Sequence, residues 1–139
     1  ADLYPFNSQD SLCHVDSTNT NPGLDGSSWG RAFNYIQDCL HALSVSGGGE
    51  IWVKTGTHIP TVVPQWKLDA GEPDISMHRS FVMYDNIRMY GGFAGTESSR
   101  SQRNWRDNPT YLSCQQNDRV QCNQIVNAAD NSLIDGFIF

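Results

Sequence analysis

Three arginines spaced three residues apart around a tryptophan form the densest group of potential ligand-binding side chains in this sequence. The group comprises Arg100, Arg103, Arg106 and Trp105. Guanidinium groups and indole rings suit both sugars and anionic polymers. We therefore treat Arg103, Trp105 and the more distant Trp66 as candidate carbohydrate contacts. The alternative is a structural loop in which Trp105 packs on the protein body and the arginines pair with Glu97 and Asp107.

Acid–base catalysis needs two titratable groups that converge on a cleft. Asp85 and Asp135 lie near predicted strands, as does Arg88, but Asp85 precedes Asn86 and Asp135 precedes Gly136. Both aspartates are therefore predicted to be turn residues. The sequence also lacks GxSxG, HExxH and a phosphate-binding glycine loop. We predict no catalytic residues and no enzymatic activity.

The four cysteines favour disulfides over a zinc site, because none of them belongs to a CxxC unit. Cys114 and Cys122 flank a short polar loop and are predicted to pair, which leaves Cys13 to pair with Cys39. The histidines have no ligand spacing. Oxygen ligands around Asp16 in the turn-rich segment 16–26 would suit calcium, but turn hydrogen bonds explain the same residues. We predict no metal and no cofactor.

Composition indicates an extracellular protein with a polar surface. The 139 residues are enough for one domain, and the net charge of −6 argues against a nucleic-acid partner. No apolar run approaches the length of a membrane span. The sequence begins at Ala1 without an apolar signal region, so we expect a mature secreted form.

Residues 29–43 have apolar side chains at intervals of four, three, four and three, the pattern of one face of an amphipathic helix. This stripe consists of Trp29, Phe33, Ile36, Leu40 and Leu43. Ser27 or Ser28 is the predicted N-cap, and the glycines from Gly47 onward end the helix. A single helix of this kind would cover the edges of the strands that follow it.

Short strand-like runs joined by glycine corners make up the rest of the sequence. They are predicted at residues 13–16, 50–54, 81–84, 87–90, 110–113, 124–127 and 133–139. In the second run, Ile51 and Val53 point to one face and Trp52 to the other. Residues 61–79 have no sustained period and are predicted to be an excursion loop that carries Trp66. Glycine corners without intervening helices are what the coils of a parallel β-helix require.

Three motifs carry a resemblance to a known family. RMYGGFAGTESSRSQRNWRDNPTYLS, preceded by GSSWGRAFNYIQDCL and GGGEIWVKTGTHIPT, resembles secreted right-handed parallel β-helix proteins with a pectate-lyase-like fold. The resemblance covers residues 15–139. It implies a mainly β fold: a short right-handed parallel β-helix (solenoid) with one N-terminal amphipathic capping helix. The helix would span about residues 28–44 and the coils about 50–139, in a single domain from 13 to 139 that follows a tail or docking arm at 1–12.

The favoured function is a non-catalytic structural protein, outside the cell or on its surface, whose subunits associate head to tail into a filament. An uncovered last coil would favour addition of another subunit. The predicted assembly contacts are Leu3, Tyr4, Phe6, Phe137, Ile138 and Phe139. Alternatives are a surface module that binds carbohydrate, such as a polysaccharide or an O-linked glycan, and the N-terminal fragment of a β-helix polysaccharide lyase or hydrolase.

Overall fold

The computed structural model describes residues 12–75, 78–116, 119–120 and 124–139. Its elements in chain order are β1 Leu12–Val15, α1 Ile36–Val45, β2 Gly49–Lys54, β3 Gly56–His58, α2 Gln65–Asp69, β4 Phe81–Val82, β5 Ile87–Phe93, β6 Thr110–Leu112, β7 Gln115–Gln116, β8 Arg119–Val120, β9 Val126–Asn127 and β10 Leu133–Asp135. Within these described ranges, no helix is long and apolar enough to cross a membrane.

The largest sheet is parallel throughout, and its strand order, β1-β2-β5-β10, follows the order of the chain. Positions that stack in register across the four strands are Cys13, Ile51, Met89 and Ile134. The side chains alternate between two faces. Ile51 and Val53 belong to the main core, while Trp52 belongs to a second, aromatic cluster on the opposite face, as predicted.

Two smaller parallel pairs repeat this arrangement. β3 pairs with β6 and β4 pairs with β9, and Tyr111 of β6 forms a further parallel bridge to Ile138. β7 and β8 form an antiparallel pair where the sequence indicated only a polar loop. The protein is thus a mixed α/β structure with short parallel strands, and its described part contains two α-helices instead of the one predicted.

Helix α1 begins at Ile36, seven residues later than predicted, and its N-cap is Tyr35 instead of a serine. The reason is that Phe33 is bound to β1. The Phe33 N–H donates to the His14 carbonyl (3.0 Å), and the Phe33 carbonyl accepts from the Asp16 N–H (2.8 Å). A backbone committed to this bridge cannot also form helical hydrogen bonds.

The predicted apolar stripe is therefore divided between two environments. Ile36, Leu40 and Leu43 lie on α1 and are buried in the main core. Trp29 packs instead in the aromatic cluster on the opposite face, where its Nε1–H donates to the Glu97 carbonyl (2.9 Å). The helix buries its apolar face as expected, but over ten residues only.

The predicted excursion loop contains the short helix α2. Its N-cap is Pro64, whose carbonyl accepts from the N–H groups of Lys67 and Leu68. Proline fixes φ at about −65°, which is compatible with the extended backbone of this N-cap (φ −54°, ψ 140°). A prediction based on period alone missed a helix of one turn and a half.

At one end of the strand stack, backbone groups of β1 and β4 form hydrogen bonds with residues that belong to no strand. The His14 N–H in β1 donates to the Gly26 carbonyl (2.8 Å). On β4, the Val82 N–H donates to Gln37 Oε1 (2.9 Å), and Gln37 Nε2 donates to the Val82 carbonyl (3.1 Å). The buried Gln37 amide therefore hydrogen-bonds to β4 as a neighbouring strand would.

The predicted disulfide between Cys13 and Cys39 is confirmed, and it joins β1 to α1. Cys114 is also disulfide-bonded. Its predicted partner, Cys122, lies outside the described residues. Disulfide bonding is compatible with an extracellular location.

Candidate functional site

Exposed apolar side chains lie on the outer strand β10 and in the segment that follows it. β10 pairs with β5 on one side, and among the described residues no strand pairs with its other edge. We call Leu133 of β10 (43% exposed) and two residues of the segment after it, Ile138 (43%) and Phe139 (68%), the open-edge residues. The Ile138 backbone itself bonds to β6, through its N–H to the Thr110 carbonyl and its carbonyl to the Leu112 N–H. Phe137, in contrast, is partly buried against the main core. The remaining predicted assembly contacts lie outside the described residues: Leu3, Tyr4 and Phe6.

A tyrosine between two guanidinium groups connects the arginine loop to the large sheet. The Arg100 and Arg103 guanidinium carbons lie 4.6 and 5.0 Å from the centroid of the Tyr90 ring. Arg100 Nη1 pairs with Glu50 (2.8 Å), and Arg103 Nη2 pairs with Asp135 (2.7 Å). Burial raises the pKa of the Tyr90 hydroxyl. Both arginines are thus engaged in holding the loop to the outer face of the sheet.

These ion pairs differ from the predicted partners, because the sequence indicated Glu97 and Asp107. Glu97 instead accepts hydrogen bonds from the N–H groups of Ala94, Gly95 and Thr96. Burial raises the pKa of Glu97, but these backbone bonds outweigh it and lower the pKa overall. The carboxylate therefore stabilises its own turn.

Trp105 is 53% exposed, so the protein body covers it only in part. Arg106, not Arg103, is the arginine that contacts it, with the guanidinium carbon 4.9 Å from the ring centroid. The loop is held through its backbone: the Asn104 N–H donates to the Gly92 carbonyl (2.8 Å), and a Cβ on Gly92 would lie only 2.7 Å from the Trp105 Cα. The close approach predicted for the glycine cluster occurs here.

The residues considered for acid–base chemistry are engaged in separate structural contacts. Asp85 Oδ1 accepts from the Asp130 N–H (3.0 Å). Asp135 is the last residue of β10, not a turn residue, and it pairs with Arg103. Arg88 lies in β5. The structure therefore does not bring the two aspartates together in one cleft, as acid–base catalysis would require.

Two histidines are buried and bonded to backbone carbonyls. His14 Nδ1 lies 2.9 Å from the Gly26 carbonyl, and His58 Nε2 lies 2.9 Å from the Lys54 carbonyl. Burial lowers the pKa of both imidazoles. Asp16, considered for calcium, pairs with Lys54 (3.3 Å) and accepts from Thr18. Within the described ranges, no three His, Cys, Asp or Glu residues are grouped so as to hold a metal.

A groove of about 530 Å³ lies beside α2. Trp66 forms part of its wall, with 56% of its surface exposed, and its Nε1–H donates to Asn127 Oδ1 (2.9 Å). The groove is also lined by His41 of α1, Gln65 of α2 and Tyr84, which follows β4. Among the candidate carbohydrate contacts, Trp66 alone belongs to this groove.

Comparison with protein-family models, with curated proteins and with solved structures finds no match. The assessment of function therefore depends on the geometry of this chain.

Three residues that organise these sites were not singled out in the sequence. Tyr90 is the ring between the two arginines, Asn127 orients Trp66, and Gln37 bonds to β4. Of these three, only Gln37 could have been recognised from the sequence: it lies beside the apolar stripe of the predicted helix, where a buried amide needs a hydrogen-bond partner. Nothing local distinguishes Tyr90 or Asn127, because their partners come from distant segments.

Proposed function

We propose that this chain forms a short right-handed parallel β-helix with an N-terminal capping helix, and that it serves as a non-catalytic extracellular structural protein whose subunits associate head to tail. The sheet order supports the β-helix. Stacked positions follow one another after 38 residues (Cys13 to Ile51, Ile51 to Met89) and then after 45 (Met89 to Ile134). Repeated return of the chain to the same sheet, one strand farther each time, is the property of a solenoid.

The difference between the two ends of the stack supports the direction of assembly. At the first end, Gly26, Phe33 and Gln37 occupy the backbone groups of β1 and β4. At the other end, no strand within the described residues pairs with the outer edge of β10. Since unpaired strand edges bind further strands, growth is favoured at one end only. The observation that carries this proposal is that no strand among the described residues pairs with the outer edge of β10, while apolar side chains on β10 and in the segment after it are exposed.

The N-terminal arm of a neighbouring subunit is the proposed occupant of this edge. Its residues Leu3, Tyr4 and Phe6 would cover the open-edge residues, and each large side chain that becomes fully buried contributes about 1.5–3 kcal/mol. Backbone pairing to β10 would set the register. Because the contact joins different surfaces and does not close on itself, its product is a filament. The disulfide between Cys13 and Cys39 supports an extracellular location.

The test compares assembly of the native protein with that of three variants, using sedimentation velocity and negative-stain electron microscopy. Ile138→Asp and deletion of residues 1–6 are expected to give folded monomers. The matched control is Val45→Asp, which changes an apolar residue that is 90% exposed at the end of α1, and it should still assemble. Filaments from Ile138→Asp, or a native protein that stays monomeric at high concentration, would refute the proposal.

A further inference from the structure

The groove beside α2 has the size and construction of a binding site. Its volume of about 530 Å³ lies within the range of about 300–1,000 Å³ that is usual for small-molecule sites. Four separate parts of the fold form its walls: α1 through His41, α2 through Trp66, the segment after β4 through Tyr84, and β9 through Asn127. Such a groove exists only when the chain is folded, and the strand pair β4–β9 keeps two of its walls in place.

Trp66 is held in position although more than half of its surface faces water. Its Nε1–H donates to Asn127 Oδ1 across 61 residues of sequence, and the Lys67 ammonium lies 5.6 Å from its ring centroid. Trp52, by comparison, is 6% exposed and belongs to the aromatic cluster. An indole that is fixed by polar contacts and left exposed offers a preorganised apolar surface to a ligand.

The rest of the lining determines which ligand suits this surface. Gln65 and Asn127 contribute carboxamides, His41 an imidazole and Asp74 a carboxylate that pairs with Arg79 (3.3 Å), so planar groups that donate and accept hydrogen bonds line the same groove as the indole. Among the described residues, the lining includes no arginine or lysine, and the protein carries a net charge of −6, which disfavours phosphates and polyanions.

We propose that this groove binds a neutral oligosaccharide. A pyranose ring presents C–H groups on one face, which would pack on Trp66, and hydroxyl groups at its rim, which would bond to the amide, imidazole and carboxylate groups around it. The site is separate from the proposed assembly contact, because its lining contains none of the open-edge residues Leu133, Ile138 and Phe139. A failure of one proposal is therefore distinguishable from a failure of the other.

The experiment titrates the full chain with cellohexaose, chitohexaose, xylohexaose and mannohexaose, and with hexagalacturonate as the anionic comparison. Binding is followed by calorimetry and by the indole N–H resonances of the four tryptophans, with that of Trp66 assigned from its absence in Trp66→Ala. At least one neutral hexasaccharide should bind and shift the Trp66 resonance. Trp66→Ala should lower the affinity for that sugar by about tenfold or more.

Trp105→Ala is the matched control, because Trp105 is exposed to a similar degree but lies on the arginine loop. It should leave the affinity unchanged to within about twofold. The proposal is overturned if none of the neutral sugars shifts the Trp66 resonance at millimolar concentration, if hexagalacturonate binds more tightly than all of them, or if Trp105→Ala abolishes binding while Trp66→Ala does not. Unchanged circular dichroism of both variants confirms that they are folded.

Discussion

Replacing Gln37 by alanine should destabilise the protein although it removes no apolar contact of note. Gln37 is 1% exposed, and its amide forms two hydrogen bonds to the backbone of Val82. In Gln37→Ala the Val82 N–H and carbonyl both lose their partner. A buried polar group left unpaired costs about 1–3 kcal/mol. Since Val82 is half-buried and water can reach it in part, we expect a total loss of about 2–4 kcal/mol.

The assay is equilibrium urea unfolding, in which the midpoint should fall while the slope stays constant. Gln65→Ala is the matched control, because Gln65 is exposed on α2 and bonds only to Asp69 (2.9 Å) among the described residues. It should cost at most about 0.5 kcal/mol. Hydrogen exchange gives a second, local measure: the Val82 amide should exchange faster in Gln37→Ala and unchanged in Gln65→Ala.

A charged substitution distinguishes the hydrogen bond that the Gln37 side chain accepts from the one that it donates. Gln37→Glu keeps an oxygen that can accept from the Val82 N–H, but it places a carboxylate oxygen against the Val82 carbonyl. We expect it to be at least as destabilising as alanine at neutral pH, because a buried charge then faces an acceptor. If Gln37→Ala were no more destabilising than Gln65→Ala, or if Val82 exchange did not change, the amide would not be stabilising the edge of β4.

Three further perturbations test other parts of the fold. Replacing both Cys13 and Cys39 by alanine should lower the free energy of unfolding in urea by about 3.5 kcal/mol, because the disulfide closes a loop of 26 residues; a loss below about 1 kcal/mol would contradict this. Burial lowers the pKa of His58 below 6.5, so near that pH the folded state binds fewer protons than the unfolded state and the free energy of unfolding should fall as the pH drops through 6.5. His58→Gln should make the free energy of unfolding depend less on pH between about pH 7.5 and pH 5. An unchanged pH dependence would exclude His58 as its source. Gly92→Ala should lower the free energy of unfolding by about 3 kcal/mol and lower the thermal midpoint. Gly71 has a similar positive φ but no neighbour within 4 Å, so Gly71→Ala should cost only about 1–2 kcal/mol. Equal costs would mean that the close approach at Gly92 is unimportant.

Local sequence patterns predicted the four strands of the large sheet and the alternation of their faces, but not β3, β7 or β8. The disulfide between Cys13 and Cys39 was predicted by elimination, from the short loop between Cys114 and Cys122. Ile51, Trp52 and Val53 could be assigned to faces because successive side chains of a strand point in opposite directions whatever its partners are. The turn before β5 was also predictable from local sequence, because its residue Asn86 has a φ of 67°, a conformation that asparagine tolerates. The alternation of faces and the turn at Asn86 each depend on residues within a few positions of one another.

Only the tertiary structure decided where α1 begins and which partners the charged side chains have. The periodic stripe favours a helix from Trp29, but the bonds of Phe33 to β1 outweigh local helix propensity, which is at most about 1 kcal/mol per residue for residues other than proline. In the same way, Glu97 and Asp107 are near the arginines in sequence, yet Arg100 reaches Glu50 because β2 and β5 lie side by side. Contacts across 38 residues or more depend on which strands stack, and short-range periodicity contains no record of that order.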